Sequence, residues 1–224
     1  MKSTHKQTTS IAILQKQALD FREERNWAKW HHAKTLGLGL FVEAGELAEH
    51  FLYHRDHELL KHLQTHISEV SEELADVLYW LIIIAHESGF GLDEAFLHKM
   101  NKNLAADKDK NYTAVTVELP NKVETLAQMT TIIQEFRTQR GWGNNLEPRD
   151  LIYKLIEEIG EISEYFQWKH EDQLRDYLVA KRLQLSEEVA DSLICVLLLA
   201  LSLDIDLEVV FAEKIAKNRE KYPV

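Results

Sequence analysis

The sequence predicts an all-α protein built from two tandem four-helix units that pack as a pseudo-twofold assembly. Three observations lead there. Only 8 Gly and 3 Pro fall among the 224 residues, and the apolar residues between them recur at a spacing of about 3.6, the period of a helix with one buried face. The chain also repeats itself: shifted by 115 residues, it falls on itself without a gap in its informative regions. Finally, each repeat carries the same four carboxylates in two pairs, each pair set among apolar residues.

Taken in order, the spacing predicts helices over 11–26, 35–54, 58–88 and 93–105 in the first unit. In the second unit it predicts 123–140, 149–169, 172–203 and 206–221. Pro148 falls just ahead of a helix, where its missing N–H costs nothing. Asp93 and Asp206 suit the cap or first turn of each last helix, where a negative charge meets the positive end of the dipole. Ser71 and Ser186 lie inside the long third helices and are expected to mark a local irregularity there. Between the units, DKDKNYT, a β-branched run and Pro120 break the helical period. The expected division is a first domain over 1–108, a linker over 109–122 and a second domain over 123–224.

The repeat extends to polar positions that packing alone does not dictate. Phe21, Arg22, Arg25 and Trp27 fall on Phe136, Arg137, Arg140 and Trp142. Glu43, Gly45, Glu46, Glu49 and Phe51 fall on Glu158, Gly160, Glu161, Glu164 and Phe166. Ser71, Glu72, Glu73, Ala75 and Asp76 fall on Ser186, Glu187, Glu188, Ala190 and Asp191, and Lys99, Lys102 and Asn103 on Lys214, Lys217 and Asn218. Such register across charged residues indicates duplication of one unit, so the chain resembles a dimer fused into a single polypeptide.

Composition narrows the function. There are 37 Asp plus Glu against 26 Lys plus Arg, a formal charge of −11. That balance and the lack of a basic recognition helix argue against a stable nucleic-acid partner. The apolar runs Leu78–Ala85 and Leu193–Leu203 are too short to span a bilayer. The first ten residues are polar and lack the apolar core of a secretory signal. No membrane partner and a cytoplasmic location are the default expectations. The single cysteine, Cys195, sits in an apolar run and reads as a buried thiol, which excludes disulfides and thiolate metal clusters within one chain.

The carboxylates carry the chemistry. Glu43 and Glu46 are three residues apart on one predicted helix, and Glu73 and Asp76 three apart on the next, so each pair shares a helix face. Glu158, Glu161, Glu188 and Asp191 repeat the pattern. Acids embedded in apolar seams are costly to bury, and facing pairs repel. A divalent cation relieves both. Oxygen donors without His or Cys at regular spacing suit a hard ion, Mg²⁺ or Mn²⁺. Di-iron bundle sites need Glu-x-x-His pairs, which neither unit has. The bland alternative for any one pair is a solvated helix face.

These motifs resemble the MazG-like all-α nucleoside triphosphate pyrophosphohydrolases, including their dCTP pyrophosphatase branch. The acidic pairs read EAGE with ELAD and EIGE with EVAD. FREERNW and FRTQRGW resemble that branch's opening, EYFQWK its segment after the first acidic pair, and KIAKNREKYP its closing stretch. The resemblance implies Mg²⁺-dependent cleavage of a nucleoside triphosphate between the α and β phosphates. It also implies units whose sites borrow residues across an interface, an intramolecular pseudo-dimer here, with further association into a homodimer open.

On this reading the eight acids are both metal ligands and catalytic residues. Lys99, Lys214, Arg219, Asn103 and Asn218 are candidates for the phosphates, and Trp27, Trp30, His31, Tyr53, Trp142, Trp168 and Tyr222 for the base. The second unit carries Trp168, Arg219 and Tyr222, whereas the first has Tyr53 and ends in NKNLAADK, which places the phosphate and base contacts of the first unit in doubt. His50 and His54 share a face in a His-rich stretch and read as surface or pocket-edge residues. Two alternatives stay open: a regulatory nucleotide-binding protein without turnover, and a structural helical interaction module. Base preference is not legible; dCTP or a modified pyrimidine nucleotide is the first expectation.

Overall fold

The computed structural model describes residues 9–109, 117–143 and 146–224, with the side chains of 107–109 left aside. The described residues form ten α-helices and one short 3-10 turn, Ala28–Trp30. In the first unit these are α1 (Ile11–Glu24), α2 (Ala33–Glu49), α3 (Asp56–Thr65), α4 (Ile67–Glu87) and α5 (Leu92–Asp109). In the second they are α6 (Leu126–Gln139), α7 (Pro148–Glu164), α8 (Glu171–Ala180), α9 (Arg182–Ser202) and α10 (Leu207–Lys221). Every helix of the second unit starts 115 residues after its counterpart, so the offset found in the sequence is an offset of the fold.

The backbone turns repeat as well. Asn26, Tyr53 and Gly89 have positive φ, and so do Gly141, Trp168 and Asp204, the positions 115 residues on. A left-handed residue favours Gly or Asn, so Tyr53 and Trp168 are held in the less comfortable version of the same turn. Caps fix the helix starts. Ser10 accepts from the Ile13 N–H and opens α1. Thr125 and Gln128 form a reciprocal box that opens α6, and Asp206 accepts from the Val209 N–H at α10. Pro148 is the first residue of α7, as its position predicts.

The second and third helices differ from expectation. α2 and α7 end at Glu49 and Glu164, short of the expected 54 and 169, because the chain turns there through the positive-φ residues Tyr53 and Trp168, so His50 and His54 do not share a helix face. The long third helix of each unit is two helices, α3 with α4 and α8 with α9, parted at His66 and at Lys181. Single residues there leave helical geometry, with φ −109° and −104°, while the apolar period runs on across them. With neither Gly nor Pro at the break, the pattern carries no stop signal. Ser71 and Ser186, by contrast, sit inside continuous helix and are buried.

The packing is an exchange. α2 lies along α4 and α7 along α9 within their units, while α4 meets α9 and α2 meets α7 across the pseudo-twofold. The last helices cross over: α5 packs on α9, and α10 on α4 and α1. A short antiparallel bridge, Ser10 with Thr125, and the Ile11 N–H bonded to the Glu124 carbonyl (2.7 Å) tie the starts of the two units. Leu74, Leu78, Leu81, Ile83 and Ile84 of α4 and Leu185, Val189, Leu193 and Val196 of α9 are fully buried in one continuous core. Of the expected linker, 110–116 lie outside the described residues, and Val117 and Val123 are buried. No helix among the described residues is long and apolar enough to cross a membrane.

Candidate active sites

The first acidic cluster joins α2 and α4. Carboxylate oxygens of Glu43, Glu73 and Asp76 lie within 4.8 Å of one another. Burial pushes Glu43 up to about 7, helped by Asp76 and Glu46 and opposed by a hydrogen bond from the Trp80 indole. Burial also raises Glu73, and its buried Oε2 has no hydrogen-bond partner. Asp76 is raised by burial too, against Lys214 and Asn218, which favour its charge; the Lys214 Nζ stands 2.6 Å from Asp76 Oδ2. Three half-buried acids held this close, one with an orphaned oxygen, are short of positive charge. An oxygen-liganded divalent cation supplies it, so the residues fit the ion that their spacing implied.

The positive side of this site comes from the other unit. α10 brings Lys214 and Asn218 to Asp76, and Lys217 to Glu72 at 2.5 Å. Against the upward push of burial, Lys217 and Lys214 hold Glu72 below the usual carboxylate range. Above the acids is a cavity of about 500 Å³, walled by Trp27, Trp80, Tyr79 and Tyr222 and floored by the acids and Lys214. That volume is within the range of small-ligand sites. Trp27 stands edge-on to Phe21 (5.5 Å between centroids) and to Tyr222 (5.3 Å). Arg25 bonds the Tyr222 carbonyl at 2.6 Å and locks the end of α10 to α1.

The second cluster repeats this on α7 and α9 with Glu158, Glu188 and Asp191, again within 4.8 Å. Lys99 of α5 pairs with Asp191, and Lys102 and His98 with Glu187. Burial pushes Glu188 up to about 7, and the Glu161 carboxylate, hydrogen-bonded to it, adds to the push. The adjoining cavity is about 220 Å³, lined by Asn103, Arg137, Arg140, Trp142 and Asp191 among others. The Arg140 guanidinium lies over the Trp142 ring, 4.6 Å from its centroid.

Comparison with known proteins agrees with this geometry. The sequence model of the MazG-like family matches residues 40–115, and that of the MazG nucleotide pyrophosphohydrolase domain matches residues 146–224. The chain belongs to the MazG family. Among curated relatives, it is 34% identical over 102 residues to dCTP pyrophosphatase 1 of Mus musculus, covering 45% of this chain and 60% of that protein. Against dCTP pyrophosphatase 1 of Homo sapiens it is 34% identical over 101 residues, covering 44% and 59%. The chain therefore spans about 60% of the length of these relatives. No solved structure matches.

Within this tandem MazG protein the helix exchange corrects one expectation. The Tyr222 and Lys214 region of the second unit serves the acids of the first, and Lys99 and Asn103 of the first unit serve the acids of the second. The first acidic cluster is thus the one with the fuller cavity.

Of the other expected residues, Glu46 and Glu161 are exposed and lie outside the two three-carboxylate groups, Glu46 on the cavity wall. Arg219 pairs with Glu24 through two 3.0 Å bonds and does not line the cavity. His31 is buried against Trp80 (5.2 Å) behind the site. Trp30 is exposed on the 3-10 turn. Tyr53 is fully exposed, and Trp168, 96% exposed, edges a separate groove between α2 and α7 with Leu38 and Phe41.

Sequence reasoning passed over Trp80, Tyr79 and Lys154. Lys154 Nζ stands 2.6 Å from Glu158 Oε1 in the second MazG cluster, where the first has Gly39. The signal was present: these are positions where the repeat fails to match among neighbours that do. Glu72 and Glu187 were visible as matched residues, but their task of holding the lysines of the opposite unit needs the exchanged packing to be seen.

Proposed function

We propose that this chain is a divalent-metal-dependent nucleoside triphosphate pyrophosphohydrolase, releasing a nucleoside monophosphate and pyrophosphate. The carrying observation is the Glu43–Glu73–Asp76 cluster, with an orphaned carboxylate oxygen and Lys214 and Lys217 facing it from the other unit, under an aromatic cavity. Glu43, Glu73 and Asp76, and in the second site Glu158, Glu188 and Asp191, would hold Mg²⁺ or Mn²⁺. Such an ion polarises phosphoryl oxygens and lowers the pKa of bound water.

The chain's own groups do the rest. Lys214 and Lys217 offset the charge of the triphosphate, and Asn218 keeps Asp76 oriented. Trp27 and Tyr222 offer π faces to a base. Glu46, exposed at the cavity edge, orients the attacking water and accepts its proton. Water then adds to the α-phosphorus, the bond to the bridging α–β oxygen breaks, and pyrophosphate leaves. A pyrimidine deoxynucleotide, dCTP or a modified form of it, is the first substrate to try, because the similar curated proteins are named dCTP pyrophosphatase 1.

The second site favours a second reading, nucleotide binding without turnover, because Lys154, which has no counterpart in the first site, already stands on Glu158. The test is a panel of nucleoside triphosphates assayed with Mg²⁺ for monophosphate and pyrophosphate, using wild type, Glu73→Gln and Glu188→Gln. Glu73→Gln is expected to abolish most pyrophosphate release and Glu188→Gln to spare most of it. Orthophosphate as the first product, or full activity in Glu73→Gln, would refute the proposal.

A further inference from the structure

A third cluster of ligating side chains lies at the end of α2, on residues given no part in the two acidic sites. α2 stops at Glu49, His50 caps it, and the positive-φ turn at Tyr53 leads into His54; α3 then carries His62 and ends at His66. The His54 and His62 rings stack with centroids 3.8 Å apart, His62 and His66 are at 4.3 Å, and His50 and His62 at 6.4 Å. His62 and His66 have the four-residue spacing that presents two imidazoles on one helix face.

The second unit shows what this corner holds without histidine. The positions 115 residues on are Tyr165, Lys169, Tyr177 and Lys181. There Tyr165 meets Tyr177 at 6.4 Å and the Lys169 ammonium sits 3.8 Å over the Tyr177 ring. All four of these positions are histidine in the first unit, where contacts between imidazole rings take the place of the Tyr–Tyr and Lys–Tyr contacts.

We propose that His50, His54, His62 and His66 bind a first-row transition-metal ion, with zinc the ion of choice, at a site separate from both carboxylate clusters. Neutral imidazole suits zinc and does not suit magnesium, so the two kinds of site sort their ions by ligand chemistry. The Nδ1 of His66 lies 3.0 Å from the carbonyl oxygen of His62. Donation to that carbonyl leaves Nε2 with its lone pair outward, the supporting arrangement usual for a metal-bound histidine. All four rings are half-buried. Their ring nitrogens do not converge as tightly as the oxygens of the two carboxylate clusters, so a bound ion requires the rings to turn about their side-chain torsions. The ion would clip the α2–α3 turn, where Arg149 of α7 already bonds the His54 carbonyl at 2.5 Å, to the start of α4.

The test is a zinc titration by calorimetry in excess Mg²⁺, which keeps the carboxylates occupied by the harder ion, paired with thermal unfolding with and without zinc. The comparison protein is the double variant His54→Lys, His62→Tyr. It installs the residues that fill the same corner of the second unit and so keeps the fold. Wild type is expected to bind one zinc per chain and to melt higher with zinc. The variant is expected to lose both, by more than the about 10–100-fold that loss of a supporting partner costs. Zinc binding of equal affinity in the variant, or no zinc binding by wild type, overturns the proposal. Neither outcome depends on pyrophosphate release.

Discussion

Glu43 shows how one carboxylate couples folding, metal and pH. Burial and the neighbouring Asp76, Glu46 and Glu73 outweigh the hydrogen bond that Trp80 donates, so its pKa rises to about 7. Glu188 reaches about 7 for the same reason. A raised folded-state pKa means that stability is fully present below the unfolded value near 4.5 and is lost as pH rises through 7. Without metal, these two acids therefore destabilise the fold progressively between those limits. His31, held below its usual value by burial, works in the opposite direction in part of that window. The magnesium-dependent increment in melting temperature separates the two effects, because Mg²⁺ binds the ionised carboxylates. That increment is expected to be small at pH 5.5 and large at pH 8, where ion at about 100 times its Kd is worth about 2.7 kcal/mol. An increment that does not change with pH would show that these acids do not ligate the ion. The acids themselves were legible in the sequence because their residue type, spacing and apolar flanks recur in register. Trp80, which donates to Glu43, was not, since a tryptophan in an apolar helix reads equally well as core.

At the scale of the element, α2 owes its fit to two glycines with different tasks. A Cβ on Gly39 would come 2.5 Å from Trp80 Cζ2, so the indole that bonds Glu43 occupies the space a side chain would take. A Cβ on Gly45 would meet nothing within 4 Å. Gly45→Ala is therefore expected to stabilise α2 by up to about 1 kcal/mol through helix propensity. Gly39→Ala gains the same propensity but overpacks against a rigid ring at about 1–3 kcal/mol, so its net effect is destabilising. It also moves Trp80 away from Glu43. Thermal unfolding of the two variants measures the first effect and Mn²⁺ affinity the second; a Gly39→Ala protein that melts above wild type would refute the close fit. Helix existence and order were legible because long amphipathic segments carry a strong period. The breaks at His66 and Lys181 were not, because one residue left the helix while the buried stripe continued through it.

The whole molecule is a fused pair whose halves have exchanged their last helices, so each acidic cluster faces cations from the other half. The repeat made the pairing legible, but not the crossover: a matched lysine is the same letter whether it serves its own unit or its twin. Fusion also frees the two sites to diverge, and Gly39 against Lys154 shows that they have. In the second site the Lys154 ammonium is 2.6 Å from the buried Glu158 carboxylate. It holds an oxygen that a metal ion would otherwise claim, so a cation binding there must displace it. Lys154 is itself half-exposed, so solvent screening limits the pair to on the order of 1 kcal/mol, or about fivefold in affinity. Lys154→Ala is accordingly expected to tighten Mn²⁺ binding at the second cluster about fivefold and to leave the first unchanged. Electron paramagnetic resonance of free Mn²⁺ measures the second cluster in a Glu73→Gln background, where only it keeps its three acids, and the first in a Glu188→Gln background. If Lys154→Ala leaves the second cluster's affinity unchanged or weakens it, the ammonium does not compete with metal, and the inequality of the two sites must arise from the smaller second cavity instead.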